Sequence, residues 1–426
     1  MVLAIIASLI FVAGYILITL EHYWKVNKSI TATALAAILW GIIALAGLDV
    51  HAIEGALHLI SAETFSLVVF LLAAMTLVEI LVHYRFFDLL RTKLFALGLK
   101  DTAQLILIST IAFFLSAIID NLTTTIVMVQ IARRFFKGHN LLVAAGAIVV
   151  AANAGGAFSP VGDVTTIMIW LAGKFTALEI IAWGFLPALS IFVVSMFLFV
   201  RQMKRDSGDE EMTKQEAVSL TPSEKTVITL SFASFILPVL AHLAGLPPFM
   251  GLLLGVGIVG LTIGWFANTA RHRESHLSME IERLLGKLDI TSLLFFIGIL
   301  FAVGALNFLG VLDFVSHNLF GPDPAISRLI AGSVLLGVFS ALVDNIPLTA
   351  AALDILQTTD SRIWVLLALC VGTGGSMLVI GSAAGVVAMG MVKDLSFKQF
   401  LRIATIPAAV GYFAGIFVWY IQYLLF

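Results

Sequence analysis

Twice in this chain an Asp-Asn pair lies near the middle of an apolar stretch too long to cross a membrane once. The first stretch, 103–135, contains Ser116-Ala117-Ile118-Ile119-Asp120-Asn121-Leu122-Thr123-Thr124-Thr125. The second, 325–357, contains Ser340-Ala341-Leu342-Val343-Asp344-Asn345-Ile346-Pro347-Leu348-Thr349. A straight helix over either stretch would be far longer than the ~30 Å hydrocarbon core. A carboxylate there costs several kcal/mol, roughly 2.5–3.5 on insertion scales. A re-entrant hairpin with Asp-Asn at its tip satisfies the length, and the repetition implies that both carboxylates are used.

The rest of the chain supports a polytopic membrane protein: 60% of residues are apolar and only 12% charged. Spanning helices are expected at 2–20, 31–48, 64–82, 141–173, 176–202, 225–243, 248–267, 291–313, 362–392 and 399–425, each near the 20 apolar residues a crossing needs or longer. The first is read as a spanning helix and not a signal peptide, because it lacks a basic leading region and a small-residue cleavage site. With both Asp-Asn stretches folded as hairpins, only Lys174, Arg328 and Arg362 of the 24 basic residues fall outside the cytoplasmic face. With both stretches spanning, the split is nearly even, so the positive-inside rule selects hairpins.

Parity then sets the architecture. Residues 1–202 form a first repeat with hairpin 103–135 and broken helix 141–173. Residues 225–426 form a second with hairpin 325–357 and broken helix 362–392. Each repeat has five crossings plus one hairpin, so the second is inverted and both termini lie outside. Interrupted helices on inverted repeats are the pattern of secondary transporters. Residues 203–224, with Asp209-Glu210-Glu211, read as a solvated cytoplasmic linker, and 270–288 as an amphipathic interfacial helix.

A second motif follows each hairpin. Asn153-Ala154-Gly155-Gly156-Ala157-Phe158-Ser159-Pro160-Val161-Gly162-Asp163 matches Gly372-Thr373-Gly374-Gly375-Ser376-Met377-Leu378-Val379-Ile380-Gly381-Ser382. Paired glycines and Pro160 weaken a helix, so both segments are expected to unwind beside a cavity. Close helix packing through small residues is the plainer alternative.

No Lys or Arg is placed at the depth of Asp120, Asp163 or Asp344. Their charge must be neutralised by a proton or a bound cation. Carboxylates, amide oxygens and hydroxyls are hard ligands that suit a small hard cation. One site that takes either a proton or a cation is the minimum machinery for exchange. Glu79, near the cytoplasmic end of its helix, is either a proton-access group or a snorkelling residue, and His83 lies one turn beyond it. The nine histidines show no metal-ligand spacing, and the single cysteine, Cys370, excludes an internal disulfide.

The Ser116–Thr125 run, the Asn153…Gly162-Asp163-Val164-Thr165-Thr166 run and the Ser340–Asn345 run resemble the NhaD-type sodium/proton antiporters. That family lies in a superfamily that also holds arsenite exporters and sodium-coupled carboxylate carriers. The resemblance implies exchange of cytoplasmic Na⁺ or Li⁺ for external H⁺, with no cofactor and no enzymatic activity. It further implies a homodimer of scaffold and transport domains, in a bacterial inner membrane, serving pH homeostasis and salt tolerance. The matching ion-binding positions are Asp120, Asn121, Asn153, Asp163, Thr165, Thr166, Ser340, Asn345 and Ser382, with Asp344 beside Asn345. The main cation site is expected in the first half, with Na⁺ at Asp120, Asn121 and Asp163, because Ser382 replaces the carboxylate in the second. Anion carriers of the superfamily carry Ser-Asn-Thr at the hairpin tips, so Asp at both tips here argues for a cation. The alternatives are an arsenite exporter or a Na⁺-coupled carboxylate symporter of the same fold. An intramembrane aspartyl protease is disfavoured by the residues preceding Asp163 and Asp120, and nothing in the charge pattern suggests a nucleic-acid partner.

Overall fold

Residues 2–19, 26–204, 219–269, 286–320 and 325–426 are described by a computed structural model of the chain. The acidic run of the linker and most of the expected interfacial helix lie outside these residues, as do Lys25, Arg205, Lys214, Arg271, Arg273 and Arg283. Among the described residues there are helices and no strand.

The first half contains α1 (Val2–Thr19), α2 (Lys28–Leu45), α3 (Val50–His83), α4 (Phe86–Ala96), α5 (Asp101–Ser116), α6 (Asn121–Phe135), α7 (Gly138–Gly156), α8 (Val164–Leu171) and α9 (Ala177–Gln202). The second contains α10 (Pro222–Ser234), α11 (Leu237–Leu243), α12 (Pro248–Thr269), α13 (Ile290–Phe308), α14 (Val311–Phe320), α15 (Ile326–Phe339) and α16 (Asn345–Ile355). It continues with α17 (Ser361–Gly374), a 3-10 turn at Val379–Gly381, α18 (Ala383–Met391), α19 (Phe397–Ile403) and α20 (Thr405–Leu425). Eight helical stretches among the described residues are long and apolar enough to cross a membrane.

Several boundaries differ from expectation, each for a local reason. Helix α3 has 34 residues and starts well before residue 64. Asp49 caps its first turn by accepting from the His51 amide at 3.2 Å, and no breaker follows until Arg85, whose φ is 60°. Helix α13 stops at Phe308 because Gly310, at φ 71°, turns the chain into α14. Pro238 stands in the first turn of α11 and separates it from α10.

Two sets of contacts fix the ends of the bundle. At one end, Asn140 Nδ2 donates to Asp101 Oδ2 at 3.4 Å and to the Lys204 carbonyl at 2.9 Å, and Gln202 Nε2 donates to the Ile403 carbonyl at 3.0 Å. Asp101 begins α5, and Asn140 stands just past the end of α6, so the outer ends of α5 and α6 lie together and the chain reverses between them. At the opposite end, Ser361 Oγ donates to Glu179 Oε1 at 2.7 Å, and Ser316 Oγ donates to the Ile355 carbonyl at 2.7 Å. The second contact ties α14, which leads into α15, to the end of α16. Helix α6 packs against α18, and α8 against α16.

Candidate functional site

The site begins with backbone packed on backbone. A Cβ on Gly155 would collide with the Phe113 carbonyl, and one on Gly374 would collide with the Gly337 carbonyl. Only glycine permits either approach. Beside each contact a serine bridges the same two helices. Ser116 Oγ donates to the Ala152 carbonyl at 2.6 Å, and Ser340 Oγ donates to the Val371 carbonyl at 2.7 Å. Helix α7 then stops at Gly156, α17 at Gly374, and the chain resumes as α8 and α18. The residues that restart the helices, Asp163 and Ser382, have φ/ψ of −144°/146° and −143°/147°.

Four helices therefore start in the interior, each with its own cap. Asp120 caps α6, accepting from the Thr123 amide on Oδ1 at 2.8 Å and from the Thr123 hydroxyl on Oδ2 at 2.7 Å. Asp163 caps α8, accepting from the Thr165 amide at 3.4 Å. Asp344 caps α16, accepting from the Ile346 amide at 3.1 Å. Ser382 caps α18, accepting from the Gly385 amide at 3.2 Å. Capping acceptors satisfy first-turn amides that would otherwise be unpaired.

Two asparagines join the halves. Asn153 is fully buried; its Nδ2 donates to Ser376 Oγ at 2.8 Å and Ser382 Oγ at 3.2 Å, while its Oδ1 accepts from Asn121 Nδ2 at 2.9 Å. Asn345 Nδ2 donates to both oxygens of Asp163 at 3.5 Å. The exchange is complementary. The position matching Asn153 is Gly372, and a Cβ there would stand 2.9 Å from Asp163 Oδ2. Asn153 fills the space that Ser382 leaves; Gly372 leaves the space that Asp163 fills.

A cavity of about 540 Å³ reaches this centre. Asp120, Asn121, Asp163, Asp344 and Asn345 line its floor, and Thr123, Ile126, Val127 and Gln130 carry it along α6. Lys28, Glu79, Asp88, Lys287 and Asp289 stand at its mouth, at the Asn140 end. Lys287 Nζ pairs with Glu79 Oε1 at 3.1 Å. Among the described residues, no Lys or Arg pairs with Asp120, Asp163 or Asp344.

The expected residues thus divide into two groups. Asp120, Asn121, Asp163, Asp344 and Asn345 meet at the cavity; Asn153, Thr165, Thr166, Ser340 and Ser382 are buried behind it. Thr166 Oγ1 donates to the Asp163 carbonyl at 2.8 Å, whereas the buried Thr124, Thr125 and Thr165 hydroxyls have no protein partner. Glu79 lies apart at the mouth. Three contributors escaped the sequence reading. Ser376 matches Ala157 in the other half, so the repeat gave no hint of it. Tyr15, whose hydroxyl accepts from the Asp344 amide at 3.1 Å, sits in an otherwise unremarked apolar helix. Lys287 lies far from Glu79 in sequence. Among the described residues no cluster of His, Cys, Asp and Glu is arranged to hold a metal ion.

A family profile described as citrate transporter matches residues 15–372. Sodium/proton antiporter 1 of Arabidopsis thaliana is 36% identical over 419 residues, covering 96% of this chain and 71% of that protein. Sodium/proton antiporter 2 of the same plant is 34% identical, covering 96% of this chain and 97% of that protein. The Na(+)/H(+) antiporter NhaD of Halomonas elongata is 30% identical, covering 97% of this chain and 87% of that protein.

Proposed function

The chain belongs to the NhaD-type sodium/proton antiporters of the citrate-transporter family, and from that premise we propose that it exchanges cytoplasmic Na⁺ or Li⁺ for external H⁺ by alternating access. One observation carries this reading. Helices α6, α8, α16 and α18 turn their N-termini to one cavity, and three of the four caps are aspartates. Each terminus carries about half a positive charge, so four supply about +2. Bare, they would attract an anion. Three ionised carboxylates leave the centre at about −1, which a single monovalent cation or proton neutralises.

The mechanism follows from that balance. A cation entering past Lys287 and Glu79 meets Asp120, Asn121 and Asp163, the last held loosely by Asn345. When the cation leaves, the site keeps its excess charge until a proton arrives. Cation and proton compete, and the exchange is coupled because the centre is costly to leave charged. The matched contacts of Gly155 with Phe113 and Gly374 with Gly337, and the reciprocal packing of α6 on α18 and α8 on α16, support two inverted repeats with re-entrant hairpins. On this reading the Asn140 end is cytoplasmic, both termini are outside, the site faces inward, and the protein works as a homodimer in the bacterial plasma membrane. Everted vesicles with an imposed ΔpH test the proposal: Na⁺ should collapse the gradient, and unaltered collapse by Asp163→Asn would sink the mechanism.

The family profile's description keeps a second reading in view, a Na⁺-coupled carboxylate carrier. Labelled citrate or succinate uptake driven by Na⁺, with no effect of Na⁺ on ΔpH, would select it.

A further inference from the structure

The two Asp-Asn tips are not capped alike. Thr123 holds both oxygens of Asp120, its amide donating at 2.8 Å and its hydroxyl at 2.7 Å. The position matching Thr123 in the second tip is Pro347, which has neither an amide hydrogen nor a hydroxyl. Asp344 therefore cannot be gripped by the residue three places on. Among the described residues its carboxylate accepts on Oδ1 alone, from the Ile346 amide at 3.1 Å.

What the second tip lacks within its own helix it gains from another. The Asp344 amide donates to the Tyr15 hydroxyl at 3.1 Å, across 329 residues of chain. Tyr15 stands on α1, which packs against α2 and α13. Among the described residues no such bond ties the matching Asp120 amide to another helix. The surroundings of α16 give this bond its weight. Asp344, Asn345 and Ile346 line the ion cavity. Val343, Pro347, Leu348 and Ala351 line an apolar cavity of about 280 Å³, together with Phe11 and Tyr15 of α1. The start of α16 thus borders two cavities, and the side chains facing them lack the close contacts that fix a packed core. The Tyr15 ring stacks on Phe11, 6.1 Å between centroids, which sets where its hydroxyl stands.

We propose that Tyr15 is a positioning residue of the ion site: by accepting from the Asp344 amide it holds the second tip, in place of the donors that Pro347 withholds, so that the Asp344 carboxylate faces the cation. The assignment rests on the exchange reading above and adds α1 to the elements that build the site. Tyr15 does not line the ion cavity; it acts through the backbone of the residue that caps α16.

Tyr15→Phe removes the one oxygen and keeps the ring. Initial rates of ΔpH collapse over a Na⁺ series in everted vesicles should show KM raised about fivefold, the weight of one neutral hydrogen bond. The maximal rate should change less than KM, and the unfolding midpoint in Na⁺-free detergent should stay near that of the wild type. Adding Pro347→Thr to the same chain supplies the amide and hydroxyl that Asp120 has from Thr123, and should return KM toward the wild-type value. A purely structural tyrosine would lower the midpoint and would not be rescued in this way. An unchanged KM in Tyr15→Phe, a fall in maximal rate at unchanged KM, or a raised KM that Pro347→Thr leaves raised would each overturn the assignment. Wild-type vesicles in which Na⁺ leaves ΔpH intact would overturn the exchange reading instead. The Na⁺ concentration that half-saturates stabilisation against thermal unfolding would then still report on Tyr15, shifted by the same factor in Tyr15→Phe.

Discussion

Asn345 shares one amide between both carboxylate oxygens of Asp163, at 3.5 Å from each. That distance is at the weak limit for a hydrogen bond, so the contact aligns the carboxylate without occupying it. It also places the start of α16 directly on the carboxylate that caps α8.

Removing that amide should affect ion affinity more than folding. Asn345→Ala should raise the KM for Na⁺ by about tenfold, the lower range for a hydrogen bond to a charged group, with the rate at saturating Na⁺ little changed. Initial rates of ΔpH collapse over a Na⁺ series measure both. A fall in maximal rate with unchanged KM would contradict the assignment.

Asn153 should behave differently. Its side chain satisfies Ser376, Ser382 and Asn121 at once, all buried. Asn153→Ala strands those groups at about 1–3 kcal/mol each. The thermal unfolding midpoint in detergent should drop clearly, unlike that of Asn345→Ala.

Gly372→Ala tests the space left for Asp163. The new methyl would stand 2.9 Å from Asp163 Oδ2, displacing the carboxylate from the cavity floor. Exchange should fall at least tenfold, a shift of ~1.4 kcal/mol or more at the site. Gly257→Ala, with nothing within 4 Å of its Cβ, should be neutral and serves as the control.

At the Glu179 end, Arg362 grips Asp360 with two bonds of 3.0 and 2.9 Å. Burial alone would lift this carboxyl, but the hydrogen bonds and charge of Arg362 outweigh it and hold it below the usual carboxylate range. The stability it contributes is present above the ordinary Asp value of ~3.9 and is lost as pH falls through the lower folded value. Arg362→Gln should therefore lower the unfolding free energy at pH 7 by about 1 kcal/mol through loss of this pair, and that part of the difference from wild type should vanish at strongly acid pH.

Much of this arrangement could be read from the chain because its constraints are local or repeated. Asp-Asn pairs in apolar stretches marked the starts of α6 and α16, and the Gly-Gly runs marked the ends of α7 and α17. The deep carboxylates without a basic partner announced a charged centre. What escaped was set by packing across the halves. Ser376 has no counterpart in the first half, Tyr15 acts through a backbone amide, and Lys287 reaches Glu79 from a distant segment. The 34-residue length of α3 was hidden because its first turns carry His51, Glu54 and His58, which read as a loop.

The central claim is that cation and proton compete for one carboxylate centre built on Asp163 and Asp120. Proton release measures it directly, by adding Na⁺ to the purified protein in weakly buffered solution near neutral pH. The expected result is release of about one proton per bound Na⁺, matching the net charge of about −1 at the four helix starts, and its loss in Asp163→Asn. Na⁺ binding without proton release, or the same release from Asp163→Asn, would contradict it.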